Sequence, residues 1–164
     1  YFSYPDCYSN ENSLFCMMLS PHFSLAELTK SSTASRLNIN NTPDDVSIEA
    51  LKLVAVNILE PVRERYGAFT PSSGFRCQKL NSAIGSNANS QHTRGEAVDF
   101  ELVGVDNYNL ACWCQDNLKF DQLILECYDG SPYSGWVHIS YIENKNRSQV
   151  LTISSKGIFE GLNR

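Results

Sequence analysis

The chain has 164 residues, 42% of them apolar and 19% charged, with a net charge of −5. That length supports one domain with its own hydrophobic core and no staples. An acidic balance without a Lys/Arg cluster argues against a nucleic-acid surface or an anionic membrane partner, and no apolar run approaches the roughly 18 residues of a membrane span.

Residues 1–17 are rich in Tyr, Ser, Asn and Cys without periodicity. They carry no Lys or Arg before the apolar run Leu14–Leu19, which makes a poor signal peptide. We expect a disordered or non-native extension, a native start at Met17 or Met18, and a single domain over 18–164. Six cysteines lack any Cys-x-x-Cys pair, so free thiols in a reducing compartment are favoured over a disulfide scaffold or a zinc knuckle.

Order is expected from Phe23. Ser24 as N-cap and Glu27 three residues on form a capping box, with Phe23 and Leu28 as the hydrophobic staple. The helix should reach about Ser31, and the Ser/Thr-rich stretch beyond extends it. After a loop over Asn38–Pro43, a longer helix is predicted from Pro43 or Ser47 to Tyr66. Leu51, Ala55, Ile58, Val62 and Tyr66 form its buried stripe. Pro61 should kink or split this helix, and Gly67 should end it. Phe69–Phe75 reads as a short strand, Cys77–Ile84 as a short helix, and Gly85–Ser90 as a polar loop.

That loop opens the stretch Ser90-Gln91-His92-Thr93-Arg94-Gly95-Glu96-Ala97-Val98-Asp99. Its His and Asp, seven positions apart, cannot reach one metal ion from a single regular element. A strand would put them on opposite faces, and a helix would separate them by about 10 Å along its axis. The segment must therefore turn, and Gly95 is where it can. A strand over Glu96–Leu102 would place Ala97, Asp99 and Glu101 on one face and Val98, Phe100 and Leu102 on the core face.

Asp106–Leu118 reads as a helix capped by Asp106, burying Leu110, Trp113 or Cys114, and Leu118. Gln122–Cys127 is an apolar strand, Tyr128–Gly135 a loop, Trp136–Tyr141 a strand, and Gln149–Ile153 the final strand.

Of the three histidines, His22 precedes the first helix as an ordinary surface residue. His138 shares a strand face with Trp136 and Ser140, an unusual composition for a core face. If strands 122–127 and 136–141 pair as a hairpin, His92, Asp99 and His138 gather around one ion, with Glu126 beside the open position. Two imidazoles and a carboxylate suit zinc and leave a fourth position for water. A carboxylate outside the ligand set can take a proton from that water. Arg76 could hold a substrate carboxylate or a developing oxyanion, and Ser90 could bind substrate. Two competitors stay open: unrelated polar residues, and a Ser90-His92-Asp99 triad that lacks a Gly-x-Ser-x-Gly elbow.

At these residues the chain resembles zinc D-Ala-D-Ala carboxypeptidases, their phage endolysin relatives and the related Hedgehog domain, most of all the short phage-type peptidases. Ser90–Asp99 matches the Ser-x-His-x-x-Gly-x-Ala-x-Asp signature. Further matches are Phe23–Leu28, Asn41–Pro43, Ile58–Arg63, Ser73–Arg76, Asp121–Ile124 and Trp136–Ser140.

The resemblance implies an α+β fold, with helices packed against a small, mainly antiparallel sheet and zinc at its edge. It implies zinc held by His92, Asp99 and His138, with Arg76 at the substrate or transition state. The implied reaction is hydrolysis of a peptide bond in the peptidoglycan stem, of carboxypeptidase or endolysin type. Many relatives carry an acid three residues before the last His, where this chain has Gly135. The base is therefore assigned to Glu126, as in short phage-type members, with Asp129 as the fallback. A monomer made in the cytoplasm and acting on the cell wall is expected, with phage or bacterial origin open. The alternative is a non-catalytic zinc-containing domain of the same fold, for binding or for virion structure.

Overall fold

The computed structural model describes residues 16–164. The expected extension therefore lies mostly outside the described residues. Met17 is already part of the fold: its carbonyl accepts the Leu25 N–H at 2.8 Å and its side chain packs against the core.

The first helix, α1, spans Leu25–Thr29, and its capping box is complete. Ser24 accepts the Glu27 N–H, and the Glu27 carboxylate accepts the Ser24 N–H at 2.9 Å. The Ser/Thr stretch does not extend α1. Lys30 is extended, and Ser31 caps a separate helix α2, Ser32–Arg36. Ser and Thr bond readily to nearby backbone, so this stretch restarts a helix instead of prolonging one.

Helix α3 (Asp45–Val54) is capped by Asp44 and runs through a π-turn, Ala55–Leu59, into α4 (Glu60–Tyr66). Pro61 thus meets a widened turn at the head of α4. The Glu60 N–H reaches back five residues to the Ala55 carbonyl, and the wider ring absorbs the bond that proline cannot make. Leu51, Ala55, Ile58 and Val62 are fully buried, and each large apolar side chain is worth about 1.5–3 kcal/mol. Tyr66 is half-buried and meets Trp113 edge-on at 5.5 Å.

Two short elements follow, α5 (Gln78–Ala83) and a 3-10 turn, Gln91–Arg94. Phe69–Phe75 is not a regular strand; only Ser73 bridges to Asp99. Helix α6 (Asn107–Asn117) is capped by Asp106 and buries Leu110, Ala111 and Cys114, while Trp113 stays half-buried and Leu118 lies past its end.

The sheet contains β1 (Ala97–Phe100), β2 (Gln122–Glu126), β3 (Trp136–Ser140), β4 (Gln149–Ser154) and β5 (Gly157–Glu160), in the order β1-β3-β2-β4-β5. All pairings are antiparallel except β2 with β4. The architecture is α+β, as expected. The strand β5 is an addition: it is exposed throughout, so it carries no apolar alternation to announce it. Val98, Phe100, Leu123, Leu125, Val137 and Ile139 face the helices and join one core with α1, α3, α4 and α6. The opposite face carries Asp99, His138, Trp136 and Glu126, because directly paired residues share a face. Among the described residues no helix is long and apolar enough to cross a membrane, and the five cysteines are unpaired.

His22 is more than an ordinary surface residue. Its ring lies 2.8 Å from the Glu60 carboxylate, which also accepts the Ser20 hydroxyl at 2.6 Å. Those bonds tie the segment before α1 to the start of α4.

Candidate metal centre

The sheet register sets two of the three candidate ligands. Asp99 on β1 lies directly opposite His138 on β3, and His138 Nδ1 stands 2.8 Å from Asp99 Oδ1. Each ligand sits in the middle of a strand, so its direction is fixed by the ladders around it.

His92 arrives from outside the sheet, on the 3-10 turn. Gly95 ends that turn in the left-handed region at φ 71°. A Cβ there would also collide with the Ser47 carbonyl of α3, so the turn accepts glycine on two separate grounds. His92 Nε2 then lies 3.2 Å from both Asp99 Oδ1 and His138 Nδ1.

These contacts also fix the chemistry. His92 Nδ1 is 2.6 Å from the Gly74 carbonyl, which can only accept, so Nδ1 carries the proton. Burial holds the His92 imidazole below its ordinary value, despite the opposing charge of Asp99. Nε2 is therefore a lone pair, and it faces a carboxylate oxygen. Two such acceptors side by side could hold a metal ion between them. Tetrahedral zinc with bonds of about 2.0–2.1 Å would space its ligands by roughly 3.3–3.4 Å; the two separations from His92 Nε2, 3.2 Å each, match this, and the His138–Asp99 pair at 2.8 Å is closer. All three side chains are buried, and their ligand atoms lie within 4.8 Å of one another. The Gly74 carbonyl is the outer partner that metal-bound histidines ordinarily have.

Burial alone would raise the Asp99 carboxyl, but the two imidazoles overturn this and hold it below the usual carboxylate range. Arg76 Nη1 sits 3.6 Å from Asp99 Oδ2 and donates to Ser73 Oγ at 3.0 Å. Its Nε is buried with no partner, as is the indole Nε1 of Trp136. Both are donors, and such groups are costly unless something accepts from them. Arg76 and Ser73 also line a cavity of about 440 Å³ that runs toward Lys30.

Glu126 pairs with Trp136, two residues before His138 on the same face. Burial raises its carboxyl above the ordinary range; His138 and Arg76 pull it down, and Asp99 adds to the rise. Gly135, where many relatives of the resembled family carry the acid, has φ 66°, and a Cβ there would strike the Glu126 carbonyl. The backbone of Glu126 thus occupies the neighbourhood of that position. The Asp129 carboxylate is exposed and accepts from Ser131 N at 2.9 Å, within its own loop.

Ser90 caps the 3-10 turn, and its hydroxyl makes no hydrogen bond among the described residues. Neither His92 nitrogen is directed to it, which removes the Ser90-His92-Asp99 triad. The sequence reading missed the Gly74 carbonyl and the Trp136 N–H. Gly74 lay inside the quoted Ser73–Arg76 motif, but a backbone carbonyl has no residue-type signature.

No curated protein matches the chain. A family model described as peptidase M15 matches residues 21–140, spanning α1 through β3 and all three candidate ligands. The chain belongs to the peptidase M15 family.

Proposed function

We propose that this chain is a zinc-dependent peptidase that hydrolyses a peptide bond in peptidoglycan stem peptides, as a D-alanyl carboxypeptidase or an endolysin. The supporting observation is the closed triangle of His92, Asp99 and His138, with the His92 tautomer locked by Gly74. His92 Nε2, His138 Nδ1 and Asp99 Oδ1 would hold the ion. When bound, zinc supplies a Lewis acid for the scissile carbonyl and makes water more acidic.

The remaining work falls to side chains. Glu126 takes a proton from the attacking water and returns it to the leaving amine. Its raised pKa suits a group that must both accept and donate. Arg76 holds a substrate carboxylate or the oxygen on which charge develops, with its permanent charge beside Asp99. Ser90 offers a hydroxyl at the head of the His92 turn. The protein acts as a monomer at the cell wall.

Purified peptidoglycan, digested with and without a chelator and analysed by mass spectrometry, tests this reading. Peptide fragments that vanish with the chelator and return with zinc are expected, and their ends identify the bond. An unchanged wall after treatment with zinc-loaded protein would favour a non-catalytic domain. Glu126→Ala should keep its zinc and lose about 10²–10⁴-fold in turnover. Unchanged turnover removes Glu126 from the mechanism.

A further inference from the structure

Asp121 is fully buried, ionisable and absent from the chemistry above. It precedes β2 and is bound into the sheet through its backbone. Its N–H donates to the Ser140 carbonyl at 2.8 Å, on the strand of His138, and its carbonyl accepts from Gln149 N at 3.0 Å. Its carboxylate collects four donors. Arg147 gives its backbone N–H at 3.1 Å, Nε at 2.9 Å and Nη2 at 2.6 Å. The fourth comes from Gln91 Nε2, at 2.9 Å to Oδ2.

A buried carboxylate needs a charged partner and satisfied lone pairs. Arg147 meets the charge requirement alone, in a forked arrangement. The Gln91 bond is not needed to neutralise Asp121. It connects Asp121 to the residue preceding His92. Gln91 also closes the turn, since its carbonyl accepts the Gly95 and Glu96 N–H groups.

The two flanks of His92 are therefore held differently. On one side Gly74 accepts from its ring, and Arg76 N donates to its carbonyl at 3.1 Å. On the other side the side-chain tether to the head of β2 is Gln91–Asp121. A single residue thus joins the backbone network of the His138 strand to the turn that carries His92. We propose that Asp121 is a positioning residue for the metal ligand His92, acting through Gln91 and oriented by Arg147. This rests on reading His92, Asp99 and His138 as a metal site.

The test uses Gln91→Leu, Asp121→Asn and the double variant in the full chain. Zinc and cobalt affinities are measured by competition with a chromophoric chelator, alongside the cobalt absorption spectrum and thermal unfolding of the metal-free protein. Gln91 is only partly buried, so Gln91→Leu should leave metal-free unfolding nearly unchanged. It should weaken metal binding roughly 10- to 100-fold, as loss of outer-shell support does, and shift the cobalt bands. Asp121→Asn should do the same while also lowering the unfolding temperature. The double variant should bind no more weakly than Asp121→Asn, because both break one connection. Unchanged metal affinity and spectrum in Gln91→Leu would overturn the proposal, even if Asp121→Asn unfolds. If the unsubstituted chain bound neither zinc nor cobalt, the metal reading itself would fall, and this role with it.

Discussion

Asp99 and His138 reach the centre by strand register, whereas His92 reaches it on a turn. The first two are directly opposed residues on neighbouring strands, and shifting either would break a whole ladder. The third depends on a few individual contacts: a left-handed glycine, the Gly74 carbonyl, the Arg76 N–H and the Gln91 amide. Ladder-borne candidate ligands are thus placed by the fold as a whole, and the turn-borne one by local bonds. Damage to the turn should therefore alter metal binding more readily than damage elsewhere of equal cost to stability.

The largest effect should come from the point where both deliveries meet. Asp99 Oδ1 contacts both imidazoles, so Asp99→Ala removes the only carboxylate of the ligand set. Zinc content after dialysis should fall to background and turnover with it. Since Asp99 pairs through its backbone, the strand should survive, as circular dichroism would record. Full zinc occupancy in this variant would mean that the register-borne half is dispensable, and the contrast would fail.

A smaller effect should separate the turn from ordinary backbone strain. Gly95 and Gly85 share the same φ of 71°, but a Cβ at Gly85 meets nothing within 4 Å. Gly85→Ala should cost about 1 kcal/mol from its conformation alone. Gly95→Ala must also displace the Ser47 carbonyl and should cost about 3 kcal/mol. Urea unfolding measures both costs, and metal competition should weaken only for Gly95→Ala. Equal losses in the two variants would show that the approach of the turn to α3 is unimportant.

The same contrast explains what was legible in the sequence. Alternation in Trp136–Ser140 puts His138 on the face of Trp136 and Ser140, and a hairpin with the apolar strand Gln122–Glu126 would bring Glu126 beside it, as the register bears out. The seven-residue gap between His92 and Asp99 demands a turn, and Gly95 marks it. Capping chemistry gives α1 without ambiguity. What could not be read depends on contacts between distant segments. The Gly74 carbonyl fixes the His92 tautomer, but only because Gly74 is pressed against the Leu28 carbonyl, where a Cβ would collide. The stretch 69–75 looks like a strand by composition, yet it makes a single bridge, because its remaining polar groups serve the site and α1. The strand β5 pairs by backbone alone and shows no buried pattern.

The smallest effect concerns the tether of the turn and depends on pH. Arg147 holds the Asp121 carboxyl below the usual carboxylate range; burial opposes this, and the Gln91 amide assists it. An acid depressed in the folded state binds protons more readily when unfolded. Its contribution to stability is therefore fully present above the unfolded value, about 3.9, and is lost as pH falls through the folded value. The unfolding temperature of Asp121→Asn should lie below that of the unsubstituted chain near neutrality. The gap should narrow as pH drops below about 4, where the carboxyl of the unfolded chain begins to bind protons. A gap that stays constant from neutrality into strong acid would mean that the ion pair with Arg147 adds nothing to stability. Asp121 would then matter only as a shape filling the space beneath the turn, and the Asn variant, which has that shape, would keep His92 in place.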